Sequence, residues 1–148
     1  MPLTTVFLGS STAAKSQART VVKTLTSPTL AFLPWWEAFT AGRTLLEELD
    51  AIRGKVNGAL LLFSPESTAD IGGKPQNVPN LNVLFEFGFF YGCLGRDRVA
   101  LIKYGTFYLP SDFGGYIHIY GSKFFKRGAA VPIGVRTTEE FTRWIRKL

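Results

Sequence analysis

At 148 residues the chain has the size of one ordinary domain, and its 46% hydrophobic content and mean hydropathy of +0.12 place it among chains that bury a core. One cysteine, Cys93, and one histidine, His118, exclude a disulfide framework, a cysteine-rich zinc site and a His-pair metal motif, and make a Ser-His-Asp triad poor. The net charge of +6 is concentrated near the end, where residues 122–148 hold seven Lys/Arg against two Asp/Glu. That segment reads as a solvated helix and loop, or as a docking face for an acidic partner through Lys123, Lys126 and Arg127; it lacks the basic–aromatic spacing of a nucleic-acid surface. No stretch approaches the ~18 apolar residues of a membrane span, and no basic region precedes the apolar run in MPLTTVFLGSS. The expectation is a cytoplasmic protein with no membrane and no direct nucleic-acid contact.

In chain order, β-rich Thr4–Gly9 predicts a first strand, after which Ser10, Ser11 and Thr12 offer capping hydroxyls to a helix with Ala14, Ala18, Val21, Val22 and Leu25 on one face. Thr29–Trp35 reads as a second strand, residues 39–43 as a loop, and Thr44–Ile52 as a helix turning Leu45, Leu46, Leu49 and Ile52 inward. Asn57–Phe63, the most hydrophobic run, predicts a central strand. Residues 64–80, rich in Pro, Gly and Asn, are expected to form a long loop, which at this length suggests function or disorder. Leu81–Leu94 predicts a helix, Arg98–Lys103 a fourth strand and Tyr116–Tyr120 a short fifth. Thr137 and Glu140 have capping-box spacing ahead of a last helix with Phe141, Trp144, Ile145 and Leu148 inward. Alternation of strand and helix predicts an α/β fold, flavodoxin-like, with about five mostly parallel strands and helices on both faces. Ligands of such folds gather at the carboxyl ends of the strands.

The sharpest chemical signal is Glu86. It is the only acidic residue between Asp70 and Asp97 and sits inside NVLFEFGFF. A charge among Phe and Leu costs several kcal/mol unless it is paired or used, so the spacing leaves two readings open: a functional carboxylate, or one neutralised by a buried partner. Asn82, one helical turn earlier, is placed to orient it. A lone carboxylate suffices for NAD+ glycohydrolysis, because nicotinamide leaves as a neutral base and only the developing oxocarbenium-like ribose needs an anion. Trp35 and Trp36 could wall the ring, Ser10 and Ser11 could bind phosphate or ribose at a helix N-terminus, Arg43 could pair with pyrophosphate, and Ser111–Asp112 could touch ribose. Core packing is the readier account of each tryptophan and helix capping of the two serines, exposed arginines are commonplace, and Ser111–Asp112 is either a simple turn or a ribose contact. Cys93 and His118 read as packing residues.

The block Asn82–Gly88 (NVLFEFG), the Gly92–Arg96 segment after it, LPSDFGG at Leu109–Gly115 and the spacing of Trp36, Phe39 and Gly42 together resemble the TIR-like NADase domains of bacterial anti-phage effectors that signal with cyclic nucleotides, the CBASS and Pycsar effectors. The resemblance runs over nearly the whole chain. It departs at Asn80–Leu81, where an Arg-Asp pair is common, and at Pro65–Glu66, where an acidic pair is common.

What the resemblance implies is a single TIR-like domain over 1–148, excised from a longer chain with a C-terminal cyclic-nucleotide sensor. It implies an NADase that takes NAD+ as substrate with no further cofactor and no metal, uses Glu86 as catalytic residue, and assembles its site by self-association through TIR–TIR contacts. Phe7, Ser10, Ser11, Trp35, Trp36, Arg43, Asn82, Ser111 and Asp112 are then the expected substrate-binding residues, with the loop from Trp36 to Arg43 shaping the site. Two rivals stand beside this expectation: a non-catalytic TIR scaffold, and a nucleoside deoxyribosyltransferase-like enzyme.

Overall fold

Five of the runs with strand character join into one parallel sheet in the computed structural model, which describes residues 2–148. In chain order the elements are β1 (Thr4–Gly9), α1 (Lys15–Leu25), β2 (Leu30–Pro34), α2 (Trp35–Ala38), α3 (Leu45–Arg53), β3 (Gly58–Phe63), β4 (Ser67–Ile71), β5 (Lys74–Val78), α4 (Leu81–Leu94), β6 (Val99–Tyr104), β7 (Ile117–Ser122) and α5 (Val135–Ile145). The sheet order is β2-β1-β3-β6-β7, with every pairing parallel. The fold is therefore α/β and flavodoxin-like, with β3 central and buried along its whole length, as its hydrophobicity predicts. None of the described helices is long and apolar enough to cross a membrane.

Strand pleating sorts the core into two layers. Val6, Leu8, Leu60, Leu62, Ala100 and Ile102 point to one face, covered by Ala18 and Val21 of α1 and Phe141 and Trp144 of α5. Phe7, Ala59, Leu61, Phe63, Val99 and Leu101 point to the other, covered by Leu49 and Ile52 of α3 and Val83, Phe87 and Phe90 of α4. The chain winds outward both ways from the β1–β3 boundary. That boundary is the switch point at which such sheets open a crevice at their carboxyl edge.

Four local expectations are corrected. The segment 64–80 is not an irregular loop: β4 and β5 pair antiparallel from Ser67↔Val78 to Ile71↔Lys74. Gly72 and Gly73 turn the hairpin with φ of +63° and +84°, a left-handed pair that glycine adopts without steric cost. Trp35 does not end β2 but opens α2, since the preceding Pro34 already lies in the extended region. In α3 the inward face is Glu48, Leu49 and Ile52, and Leu46 is 53% exposed. Thr137 and Glu140 lie inside α5 rather than capping it: the Thr137 hydroxyl donates to the Tyr120 carbonyl, and Glu140 accepts from the Tyr120 N–H, tying α5 to the edge strand β7.

The irregular segment between β7 and α5 is held by a side chain from the opposite end of the chain. Gln17, 2% exposed on α1, donates from Nε2 to the Val131 carbonyl at 3.0 Å and accepts the Val131 N–H at 2.7 Å. Leucine at this position keeps the volume but leaves both backbone groups unpaired, each a loss of about 1–3 kcal/mol. We expect Gln17→Leu to lower stability by roughly 2–4 kcal/mol in urea unfolding, whereas solvent-exposed Thr138→Ala should change it by less than about 0.5 kcal/mol.

Candidate active site

At the carboxyl edge of β1 and β3 lies a cavity of about 370 Å³, lined by Ser10, Ser11 and Thr12 after β1, Trp35 and Phe39 around α2, Thr40, Arg43, Leu45 and Glu48 from the next loop and α3, and Asn80, Asn82 and Glu86 around α4. A larger groove of about 630 Å³ opens at the opposite edge; it is lined by hydroxyl and apolar side chains without an ionisable group, and offers nothing to carry chemistry.

Glu86 reaches this cavity from one helical turn inside α4. Asn80 caps that helix, its Oδ1 accepting the N–H groups of Asn82 at 2.9 Å and Val83 at 3.2 Å. The helix then runs along the sheet with Val83, Glu86, Phe87 and Phe90 inward, so the same periodicity that buries the phenylalanines buries the carboxylate. Glu86 is 4% exposed, and its Oε2 has no hydrogen-bond partner. Burial pushes its carboxyl up to about 8, since no donor or cation offsets the loss of water. The backbone of Gly9 lies directly beneath: a Cβ there would overlap Glu86 Oε2 and Leu61 Cδ1.

The wall opposite is polar and aromatic. Trp35 Nε1–H donates to Ser10 Oγ at 2.9 Å, and the Ser10 hydroxyl donates to the Ser11 carbonyl at 3.0 Å. Ser11 Oγ accepts the Ala14 N–H at 3.2 Å in the turn before α1; the N-cap of that helix is Ala14, without a side-chain cap, so the capping expected of Ser10, Ser11 and Thr12 does not occur. Lys15 Nζ sits 5.4 Å from the Trp35 ring centroid. In the loop before α3, the Thr40 hydroxyl and backbone N–H donate to Glu48 Oε1, at 2.7 and 3.0 Å, and Arg43 Nε lies 3.9 Å from the same oxygen. The Thr40 hydroxyl, its backbone N–H and Arg43 hold the Glu48 carboxyl below its ordinary value despite burial. Two carboxyls of one cavity are thus set apart, one neutral near pH 7 and one ionised, an arrangement that suits different tasks for each.

Of the residues singled out in the sequence, Glu86, Ser10, Ser11, Trp35, Arg43 and Asn82 meet in this cavity. Four do not. Phe7 is fully buried behind it, its ring 4.9 Å from Phe90 and 6.0 Å from Phe39, because pleating turns it into the core. Trp36, one residue on from Trp35 and so about 100° around the helix, packs toward the opposite layer beside Lys15 and Arg19. Ser111 and Asp112 are exposed on a short 3-10 turn outside the cavity lining. Asn82 lines the cavity without hydrogen-bonding the Oε2 of Glu86. Cys93 and His118 are exposed rather than packed, and His118 Nε2 lies 2.7 Å from the Phe113 carbonyl.

Glu48 and Thr40 belong to the cavity and carry no sequence signal that separates them from a solvated helix face. In LLEELD, Glu48 looks like its exposed neighbours Glu47 and Asp50. Among the described residues, no group of three or more His, Cys, Asp or Glu side chains could hold a metal ion.

Residues 5–123, from β1 past the cavity and through β7, match the family model described as the TIR domain of the CAP12/Pycsar effector protein. The chain belongs to that family. Similar proteins include the Pycsar effector protein PaPycTIR of Pseudomonas aeruginosa, 30% identical over 74% of this chain and 37% of its own length. CD-NTase-associated protein 12 of Sphingobacterium faecium is 27% identical over 74% of this chain and 34% of its own length. An uncharacterized Escherichia coli protein, YuaY, is 32% identical over 51% of this chain and 26% of its own length. The chain thus spans about a third of the length of the effectors it resembles. Within this TIR domain the matched span holds every cavity residue, and α5 lies beyond it.

Proposed function

We propose that this TIR domain is an NAD+ glycohydrolase, with Glu86 as its catalytic carboxylate. The observation that supports it is a buried carboxylate with an unpartnered Oε2, opening on a cavity at the switch point of a parallel sheet. NAD+ carries its positive charge on the nicotinamide ring. As the C–N glycosidic bond breaks, that ring keeps the bonding electron pair and leaves neutral, so no general acid is required. The positive charge moves to the ribose, and an ionised Glu86 beside it stabilises the oxocarbenium-like transition state. Water then gives ADP-ribose, or attack from within the same molecule gives a cyclic product. Trp35 supplies the aromatic wall; Ser10, Ser11, Asn82 and Arg43 are placed for ribose hydroxyls and phosphate. Phe7 and Trp36 support the wall from behind. We place the activity in anti-phage defence, with a fused cyclic-nucleotide sensor promoting self-association of the TIR domains, as the family membership suggests.

The raised carboxyl of Glu86 makes the reaction pH-dependent in a defined direction. The active form is the carboxylate, and in the free enzyme the proton is lost only near pH 8. We expect kcat/KM for nicotinamide release to climb about tenfold per pH unit below that value and to level off above it. With NAD+ bound, the ring's positive charge favours the carboxylate, so the kcat profile should have its midpoint at lower pH. Release is best measured at high protein concentration or under enforced clustering. A kcat/KM that is flat from pH 6 to 9 would remove ionised Glu86 from the mechanism.

A further inference from the structure

Glu48 is a buried acid that the proposed chemistry leaves unused. Its side chain is 5% exposed, yet it neither faces Lys/Arg in a tight pair nor caps its own helix: Thr44 and Glu47 form the capping box of α3. Instead a single oxygen, Oε1, receives both donors of Thr40, with Arg43 Nε 3.9 Å away. The segment from Phe39 to Thr44 joins α2 to α3 without regular structure and contributes three residues, Phe39, Thr40 and Arg43, to the cavity. Beyond the Phe39 ring, which packs on Phe7 and Trp35, no residue of the segment before Thr44 is buried. Such a loop leans on its bonds to Glu48, with a further 3.4 Å bond from Arg43 Nη2 to the Glu47 carbonyl, and without the bonds to Glu48 it opens at little free-energy cost.

We propose that Glu48 is a positioning residue: it fastens the loop before α3 through Thr40, so that Phe39 and Arg43 stay against the cavity in the geometry that receives the substrate. The substrate part of this inference rests on the NAD+ reading above; the fastening itself does not. The work of Glu48 is to accept hydrogen bonds, which an uncharged amide oxygen can also do. Glutamine should therefore substitute for it and alanine should not. Because the loop binds substrate and touches no breaking bond, its loosening raises KM and leaves kcat nearly intact.

The experiment compares wild type, Glu48→Ala, Glu48→Gln and Thr40→Val in two assays: nicotinamide release from NAD+ across a range of NAD+ concentrations, and the rate of limited tryptic cleavage after Arg43. Folding of each variant is checked by thermal unfolding. For Glu48→Ala we expect KM to rise about tenfold or more with kcat within about threefold, and cleavage after Arg43 to quicken about tenfold. Glu48→Gln should restore both toward wild type, and Thr40→Val, which keeps the backbone N–H but loses the hydroxyl, should fall between. Unchanged tryptic cleavage in a folded Glu48→Ala overturns the proposal, as does loss of kcat in both Glu48 variants, which would put the carboxylate in the chemistry. If wild type releases no nicotinamide but the tryptic series holds, the fastening stands and the NAD+ reading fails.

Discussion

Glu86→Gln is expected to reduce nicotinamide release on the order of a thousandfold and, at alkaline pH, to make the protein more stable than the wild type. The first effect follows from removing the cavity carboxylate that has no hydrogen-bond partner of its own at Oε2 and is free to face the ribosyl cation, whereas Glu48 is held by Thr40. The second follows from linkage. The folded protein holds the Glu86 proton up to about pH 8, whereas the unfolded chain loses it near the ordinary value of 4.5. Below 4.5 both states are protonated and the carboxyl is neutral in each. As pH rises from 4.5 to 8 the unfolded state alone gains by ionising, so wild-type stability falls across this window and then stays reduced. The full loss is about 3–5 kcal/mol, each unit of displacement being worth ~1.4 kcal/mol. Glutamine cannot ionise and escapes that loss. Urea unfolding at pH 5 and pH 9 should therefore show similar midpoints for the two proteins at pH 5 and a higher midpoint for Glu86→Gln at pH 9. An inactive variant that is also less stable at pH 9 would mean that Glu86 supports the fold rather than the chemistry.

Gly9→Ala should damage both stability and activity, although alanine is otherwise the mildest change a strand glycine can receive. Gly9 ends β1 with Glu86 Oε2 and Leu61 Cδ1 occupying the space of an added methyl, and Phe7 Cε1 3.1 Å from it. The obstacle is space, since Gly9 is not among the residues with positive φ. Leu61 and Phe7 are both fully buried and cannot step aside. Overpacking of this kind costs about 1–3 kcal/mol, and the group with most freedom to move is the carboxylate, displaced from its place in the cavity. We expect a lower urea midpoint and a loss of nicotinamide release of about a hundredfold or more. Adding Leu61→Val relieves one of the two overlaps. The double variant should recover part of the stability while remaining inactive, and recovery of activity would show that Glu86 never had to stay where Gly9 lets it sit.

Much of the architecture was legible because it depends on short-range pattern. The bounds of β1 and α4 follow from a β-rich run ending in glycine and from fourteen residues with almost no charge that follow a Pro/Gly/Asn-rich stretch; the Asn80 cap came from the structure. The placement of Glu86 follows too, since a helix that buries Val83, Phe87 and Phe90 has to bury residue 86. The hairpin at 67–78 was hidden by the glycines and prolines that, in a loop reading, stand for irregularity; paired glycines also make the tightest hairpin turn. Thr137 and Glu140 had capping-box spacing, but their partner is Tyr120 on a strand seventeen to twenty residues away, and local spacing says nothing of that.

What the sequence determined by itself is therefore the α/β class, the order of the five sheet strands and of the four longer helices, and the burial of one carboxylate, because each rests on period and local propensity. Tertiary structure alone decided which side chains share a cavity. The parallel sheet gathers the ends of β1, β2 and β3 at one edge, which brings Ser10, Trp35 and Glu86 together across seventy-six residues of chain. Pleat and helix phase then choose among neighbours: Trp35 faces the cavity and Trp36 the opposite layer, Gly9 leaves room where Phe7 fills the core, and Glu48 turns inward where Glu47 and Asp50 meet water. Those choices depend on what packs against each element, and that information lies in residues far along the chain.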